Sequence, residues 1–345
     1  MKQWMKKSLA ACLALVMCLT LAACGGKEGE TPAEESVNVR VAALKGPTAM
    51  GMVKLMSDYA PVEEALEDKE NVVTAGGGNT YEFILAASAD EVSPKLMQGE
   101  LDIACVPANL ASVLYNRTDG GIVTLAVNTL GVLYIVTTGD DIASVADLAG
   151  KTIYSTGKGT TPEYTLNYIL EQNGLVPGED VTVEYKSEAT EVVSAMQMSR
   201  GYPIAMLPQP YVTTAQMQME GLSVALDMTE EWNKVSPDSA LVTGVVLART
   251  QFVEENEAAF EEFLEDYAAS VEFVNANTQD AAALVAQYGI VPKAAIAQAA
   301  IPQANMVCLT GDELKGISDY YEVLYAADPT SIGGAIPDDN FYYIP

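Results

Sequence analysis

Two short loops of nearly identical composition could perform the same chemistry. The segment "KGPT" at Lys45–Thr48 returns as "KGTT" at Lys158–Thr161, and each one follows a strand-like run and opens a helical pattern. Glycine allows close backbone approach, threonine caps helices, and lysine adds positive charge. Helix N-termini expose unpaired N–H groups that carry a positive partial charge. These loops therefore predict a binding site for a polar or anionic solute.

The motif Ile-Ala-X-(Val or Leu)-Pro is a second repeated feature. It begins at Ile103 in "IACVPANLA" and at Ile204 in "IAMLPQPYV", and a helical pattern follows each time. Any one of these loops could be an ordinary helix cap with a solvated lysine, but the recurrence of both motifs favours ligand-binding loops. Because ligands of open α/β sheets bind at the carboxyl ends of strands, two facing lobes would form a binding cleft.

The composition excludes several kinds of site. The chain has no histidine, the commonest general base and transition-metal ligand. Cys105 lies in the apolar run "DIACVP" and is interpreted as a buried small residue rather than half of a disulfide. The loop "GKGTT" lacks the residue spacing of a phosphate-binding P-loop. Acid/base chemistry by carboxylates or lysine stays possible, but nothing in the spacing of these residues indicates it, so we predict no enzyme activity, no metal and no cofactor.

The N-terminal segment has the pattern of a secretion signal. Three lysines precede the apolar run Leu9–Leu21, and "LAAC" follows and ends at Cys24. The run is shorter than the ~20 residues that cross a bilayer, which disfavours a membrane-spanning helix. We predict a signal peptide at 1–23, lipidation of Cys24, and a flexible tether at 24–37.

The charge balance restricts the possible partners. The sequence has 47 acidic and 18 basic residues and a formal net charge of −29, and three of the basic residues lie in the N-terminal segment. Such a surface repels phosphate backbones and anionic lipid head groups, so no nucleic-acid partner is predicted.

Apolar runs alternate with helical patterns, which predicts an α/β fold with mainly parallel sheets flanked by helices. The run Val123–Gly139 contains two strands with almost no connection, and a return crossing is expected within Ala240–Thr250. We expect two lobes joined by a two-strand hinge that bends at Asn128–Gly131 and at Thr243–Gly244. Trp232 should lie in the second lobe, either close to the cleft or in a purely structural position.

The chain resembles the substrate-binding lipoproteins of ABC importers, and within them the nitrate/sulfonate/taurine (NitT/TauT) type. The resemblance rests on "LAAC", "VRVAALKGPTAMGMVKLM", "ELDIACVPANLA", "ADLAGKTIYSTGKGTTPEYTLNYIL" and "SIGGAIPDDNFYY". It implies the two-lobed periplasmic-binding-protein fold of type 2, with lobe I at 38–129 and 249–345 and lobe II at 130–248. It also implies a monomer anchored at the extracytoplasmic face of the membrane, with an importer permease and ATPase as partners.

The resemblance places ligand contacts in the loops that follow the strands and in the hinge. No arginine occurs there, so a bidentate anion clamp is not expected. The implied ligand-binding residues are Lys45, Gly46, Pro47, Thr48, Ser88, Asp90, Pro107, Ala108, Asn109, Asn128, Thr129, Gly157, Lys158, Gly159, Thr160, Thr161, Pro208, Gln209 and Tyr211.

The solute class stays open at this point. A small anion such as a sulfonate or nitrate fits the lysines and N–H groups, whereas Asn109, Gln209 and Tyr211 suit a heteroaromatic vitamin precursor equally well. A lipoprotein sensor or adhesin without an importer is a further alternative. A pyrimidine-synthesising relative shares the fold but depends on a histidine that this chain lacks.

Overall fold

Two β-sheets form the framework of the protein. The computed structural model describes residues 36–59, 73–75, 78–139 and 141–344. The strands in this part of the chain are β1 (Val37–Leu44), β2 (Val73–Ala75), β3 (Asn79–Ala86), β4 (Ile103–Pro107), β5 (Ile122–Leu130), β6 (Leu133–Thr137), β7 (Thr152–Ser155), β8 (Thr182–Tyr185), β9 (Ile204–Pro208), β10 (Ser223–Asp227), β11 (Val242–Arg249) and β12 (Met306–Leu309).

The strand order shows how the chain divides between the sheets. The first sheet has the order β12-β5-β11-β4-β1-β3-β2, and the second has the order β10-β6-β9-β7-β8. The pairs β1–β3, β1–β4, β7–β8 and β7–β9 are parallel, and the other pairs are antiparallel. The α/β prediction is confirmed. Both sheets are mixed instead of mainly parallel, since antiparallel pairs outnumber parallel pairs in the first sheet and equal them in the second.

Helices cover both sheets. In the described part they are α1 (Pro47–Met50), α2 (Val53–Tyr59), α3 (Ala89–Met97), α4 (Ala108–Arg117), α5 (Thr161–Gln172), α6 (Ala189–Met198), α7 (Tyr211–Gln218), α8 (Met228–Val235), α9 (Thr250–Glu255), α10 (Glu257–Ala276), α11 (Thr278–Gln287), α12 (Ala294–Ala300) and α13 (Ile317–Ala327). Short 3₁₀ segments supplement them. None of these helices is both long and apolar enough to cross a bilayer.

Helix α10 shows how the sequence pattern produces packing. Its apolar residues recur at helical spacing, and Phe260, Phe263, Tyr267, Val271 and Val274 are all buried. They join the apolar cluster between the first sheet and helices α2, α11 and α12. The helical spacing of these residues thus produces one apolar face that packs on the sheet.

The chain passes between the sheets twice. β5 ends at Leu130 and β6 begins at Leu133, so this crossing is almost immediate. The return lies between the end of α8 and the start of β11, and the whole of β11 belongs to the first sheet. Sheet membership therefore favours a lobe boundary before Val242 instead of the boundary at 248/249 expected from sequence. The division into two hinged lobes stays a prediction.

Trp232 joins elements that belong to different parts of the fold. Its indole is fully buried, and its ring centroid lies 5.0 Å from that of Tyr168 on α5 and 5.4 Å from that of Tyr320 on α13. Its Nε1–H donates to the carbonyl of Ser239 at 2.9 Å. The surrounding apolar cluster contains residues of both sheets. Trp232 therefore supports the contact between the sheets and does not line the cavity described below.

A buried carboxylate ties three strands together. Asp102 precedes β4, and its carboxylate accepts hydrogen bonds from Arg40 of β1, at 2.7–3.0 Å, and from Arg249 of β11, at 2.6 Å. Burial raises the pKa of Asp102, but the hydrogen bonds from the two guanidinium groups outweigh this effect and leave the pKa below its usual value. Arg40 and Arg249 therefore have a structural role.

Candidate functional site: a cavity between the two sheets

A cavity of about 520 Å³ lies where the strand ends of the two sheets meet. Five helices of eight residues or more, α3 to α7, begin at its wall, with Ser88, Pro107, Thr160, Glu188 and Tyr211 at or beside their first turns. Each helix N-terminus carries a positive partial charge, so this region is electropositive. The fold thus brings the starts of five helices to one cavity.

The structure places thirteen of the sequence-predicted site residues on the wall of this cavity. They are Lys45, Gly46, Pro47, Thr48, Ser88, Asp90, Pro107, Thr129, Gly157, Lys158, Thr160, Pro208 and Tyr211. The remaining six, Ala108, Asn109, Asn128, Gly159, Thr161 and Gln209, do not line it.

The first lysine loop is held open by its backbone. Gly46 has φ = 151° and ψ = −153°, a conformation that is essentially restricted to glycine. The Lys45 N–H donates to the carbonyl of Ala86 at 2.9 Å, and the Thr48 hydroxyl donates to the carbonyl of Leu44 at 2.9 Å. The loop is therefore fixed to β1 and β3 while the Lys45 side chain stays exposed at the cavity.

The second lysine loop has a similar construction. Gly157 has φ = 76°, and a Cβ atom there would lie 2.8 Å from Pro162 Cγ and 2.8 Å from Thr160 Oγ1. The Thr160 hydroxyl donates to the carbonyl of Gly157 at 2.7 Å. The Glu163 carboxylate accepts from the Gly159 N–H, not from Thr160 as a capping box would require. These bonds hold the exposed Lys158 at the cavity wall.

The predicted residues outside the cavity hold the loops together. Asn109 is fully buried, and its N–H donates to Thr161 Oγ1 at 3.3 Å while its Nδ2 donates to the carbonyl of Ser331 at 2.9 Å. Gln209 Oε1 accepts from the Thr213 hydroxyl at 2.9 Å. These polar side chains form hydrogen bonds with protein groups behind the cavity wall, as buried polar groups usually do.

Some cavity residues were not predicted from the sequence. The largest group is Tyr185–Ala189, which connects β8 to α6, and Thr243 of β11 also lines the cavity. The sequence does indicate a strand-to-helix loop at the first group, since "VTVEYK" has the pattern of a strand and "ATEVVSAMQMS" that of a helix. Burial and the neighbouring Glu163 raise the pKa of Tyr185, so its phenol is neutral.

The lysines at the cavity differ in whether they have an ion-pair partner. The Lys186 ammonium group lies 3.5 Å from the Glu184 carboxylate and 5.5 Å from the ring centroid of Tyr154. It therefore has partners within the protein. Lys45 and Lys158 form no ion pair within the described part of the chain. Asp90 and Glu188 are the acidic lining residues. Two unpaired ammonium groups from opposite sheets thus face one cavity.

Tyr211 bridges the two sides of the cavity. Its hydroxyl donates to the carbonyl of Lys45 at 3.4 Å, which joins the start of α7 to the end of β1. Burial, and then the charge of Glu188, raise the pKa of Tyr211 to about 12. The phenol is therefore neutral at pH 7 and presents an apolar ring with one hydroxyl.

Residues 51–219 match a family model described as the ABC transporter phosphonate periplasmic substrate-binding protein. The match covers strands of both sheets and much of the cavity wall. Over these residues the chain carries an ABC-type substrate-binding domain. Proteins of this class are not enzymes; they bind a small solute outside the cytoplasm and interact with the permease and ATPase of an importer. No group of three or more acidic or cysteine side chains suited to a metal ion occurs in the described residues.

Solved structures of periplasmic binding proteins share the fold of this substrate-binding protein. An ABC transporter protein from Parabacteroides distasonis has a TM-score of 0.67 and 20% identity, over 88% of this chain and 98% of that one. The aliphatic sulphonate binding protein SsuA from Escherichia coli has a TM-score of 0.64 and 17% identity, over 87% and 92%. No curated protein matches the sequence.

The alkanesulfonate-binding protein SsuA from Xanthomonas axonopodis pv. citri, solved with MOPS bound, has a TM-score of 0.64 and 13% identity. That match covers 88% of this chain and 96% of the other. At these identities the comparisons establish the fold of the substrate-binding protein, and the solute must be argued from its own cavity.

Proposed function

We propose that this protein binds a small anion, such as an organic sulfonate or nitrate, in the cavity between the sheets and delivers it to an ABC importer. The observation that carries the proposal is the pair Lys45 and Lys158, which reach one cavity from opposite sheets without an ion-pair partner in the described chain. An anion between them would pair with both ammonium groups and favour approach of the two walls.

The cavity supplies neutral donors as well. The N-termini of α3 to α7 add backbone N–H groups, which are favourable partners for anions. Among the described residues no arginine lines the cavity, so binding would rely on several single hydrogen bonds instead of a bidentate guanidinium contact. The sulfonate assignment is further supported by the fold shared with the SsuA proteins and by the phosphonate description of the family model, since both names refer to tetrahedral oxoanions.

A heteroaromatic vitamin precursor is the second candidate. The neutral phenols of Tyr185 and Tyr211 both line the cavity and could stack against a flat ring. Such a solute would gain little from the lysines, so the two candidates differ in their dependence on charge.

Replacement of either cavity lysine tests the proposal. Lys45→Met and Lys158→Met should each raise the Kd for ethanesulfonate or nitrate about tenfold or more, because a hydrogen bond to a charged group contributes about 1.5–3 kcal/mol. Titration calorimetry measures the Kd, and ligand at a hundredfold excess over Kd should stabilise the parent by about 2.7 kcal/mol. Lys95→Met, an exposed site on α3 outside the cavity, is the control. Equal affinity in all three variants would contradict the anion proposal, and binding of pyrimidines alone would favour the second candidate.

We also propose that Cys24 carries a lipid that anchors the protein at the extracytoplasmic face of the membrane. Cys24 lies outside the described residues, and the proposal rests on "LAAC" after an apolar run. Cys24→Ala should block incorporation of labelled fatty acid and shift the protein from the detergent phase to the aqueous phase, or leave it unprocessed. Cys308→Ala is the control. Labelling of Cys24→Ala at the parent level would refute lipidation at this residue.

A further inference from the structure

Strand β11 contains an irregularity at the point where it meets the cavity. Val242 pairs with Leu130 of β5 and Gly244 pairs with Thr129, so Thr243 is an extra residue between two consecutive partners. Such a bulge bends a strand and redirects the extra side chain, and bulges are frequent beside functional sites. The bulge places Thr243 on the cavity wall, close to Thr129 and Pro107.

Gly244, the residue after Thr243, is closely packed. A Cβ atom on Gly244 would lie 2.6 Å from Asn128 Oδ1 and 2.9 Å from Thr48 Cγ2. Glycine at this position therefore lets β11 pack closely against β5 and the first lysine loop. This packing fixes the bulge and with it the position of Thr243.

The hydroxyl of Thr243 differs from its neighbours in hydrogen bonding. Thr48 donates to the carbonyl of Leu44 at 2.9 Å, and Thr129 donates to Asn128 Oδ1 at 3.0 Å. Thr243 Oγ1 is shielded from solvent and has no hydrogen-bond partner in the described part of the chain. An unpaired, shielded hydroxyl is costly, and rotation about χ1 moves it between staggered positions. A solute oxygen in the cavity would supply the missing acceptor.

We propose that Thr243 is a solute-binding residue that donates a hydrogen bond from its hydroxyl to an acceptor oxygen of the bound anion. The inference rests on the proposed function, because it requires that the solute occupies this cavity. It adds a contact at the first strand after the return crossing, and so ties solute binding to the segment where the chain passes between the sheets. Solutes with an oxoanion group should gain more from this contact than neutral solutes without an acceptor oxygen.

The experiment compares Thr243→Val with Thr124→Val in full-length protein, with ethanesulfonate as the probe. Thr124 lies on β5 away from the cavity, and its buried hydroxyl likewise has no partner among the described residues. Both variants exchange an unpaired hydroxyl for a methyl group, so neither should lower the thermal stability. Thr243→Val should raise the Kd about tenfold, Thr243→Ser should stay within about twofold of the parent, and Thr124→Val should bind like the parent.

Each outcome has a separate meaning. If Thr243→Val binds like the parent while Lys45→Met binds more weakly, the solute occupies the cavity and Thr243 is not a contact. A parent protein that binds neither ethanesulfonate nor nitrate overturns the proposed function and this inference together. If Thr243→Val fails to fold, Thr243→Ala replaces it, and parent-like affinity in that variant also rejects the proposal.

Discussion

Trp232→Ala should lower the free energy of unfolding by about 3–5 kcal/mol, the usual range for removal of a large aromatic side chain from a core. The indole is fully buried between Tyr168 and Tyr320, and its loss would leave a void where α5, α8 and α13 meet. The carbonyl of Ser239 would also lose its hydrogen-bond donor. Urea unfolding followed by circular dichroism measures the change, because the variant lacks the indole on which fluorescence would depend.

Trp232→Phe separates the two contributions. Phenylalanine retains ring contacts but not the indole N–H, so this variant should lose less stability than Trp232→Ala. Tyr325→Ala, a partly exposed aromatic on α13, is the matched control and should change the stability little. A Trp232→Ala protein as stable as the parent would show that this cluster does not support the contact between the sheets.

Asp102→Asn should cost about 3 kcal/mol of stability at neutral pH. The change leaves Arg40 and Arg249 without their carboxylate partner, and removal of one member of a buried ion pair costs about 3–5 kcal/mol. The lower end applies because the arginine side chains are 30% and 19% exposed, so water can partly replace the lost partner. The midpoint and slope of urea unfolding measure the difference.

The pH dependence provides a second test of Asp102. Its folded-state pKa is lowered, so the carboxylate stabilises the fold above its unfolded pKa of about 3.9 and loses this effect as pH falls toward the folded-state pKa. The stability difference between the parent and Asp102→Asn should therefore be constant from pH 5 to 8 and shrink below about pH 4. Asp141→Asn, which breaks an exposed ion pair with Lys151, should change the stability much less than Asp102→Asn does. Equal costs for the two variants would argue against a special role for Asp102.

The sequence predicted the fold class because its main signals are local. Alternating apolar runs, glycines after helices and the immediate strand pair around Asn128 each follow from a few neighbouring residues. Sheet membership depends on distant partners instead. The run "ALVTGVVLART" reads as a strand in either lobe, and only its pairing with β4 and β5 assigns β11 to the first sheet.

The sequence indicates which loops line the candidate cavity, but not which of their side chains face it. A strand followed by a capped helix indicates that the loop lies at the carboxyl edge of a sheet, as for Lys45 and Lys158. The pattern does not reveal which side chains of a loop turn inward, and Asn109 and Gln209 instead bond to protein groups behind the wall. The sequence did not indicate that Thr243 lines the cavity, because its position depends on a bulge, and a bulge depends on the register between two strands.

The insertion of the second sheet within the first determines the order in which the protein can be assembled. Strands β6 to β10 come from one continuous stretch, so all their hydrogen-bond partners exist once Asp227 has been synthesised. The first sheet can be completed only later, because β11 lies between β4 and β5, and β12 forms the edge next to β5. Until these strands emerge, β4 and β5 carry unpaired edges, which are prone to aggregation. The N-terminal half of this chain therefore has unpaired strand edges until the strands of its C-terminal third are available to pair with them.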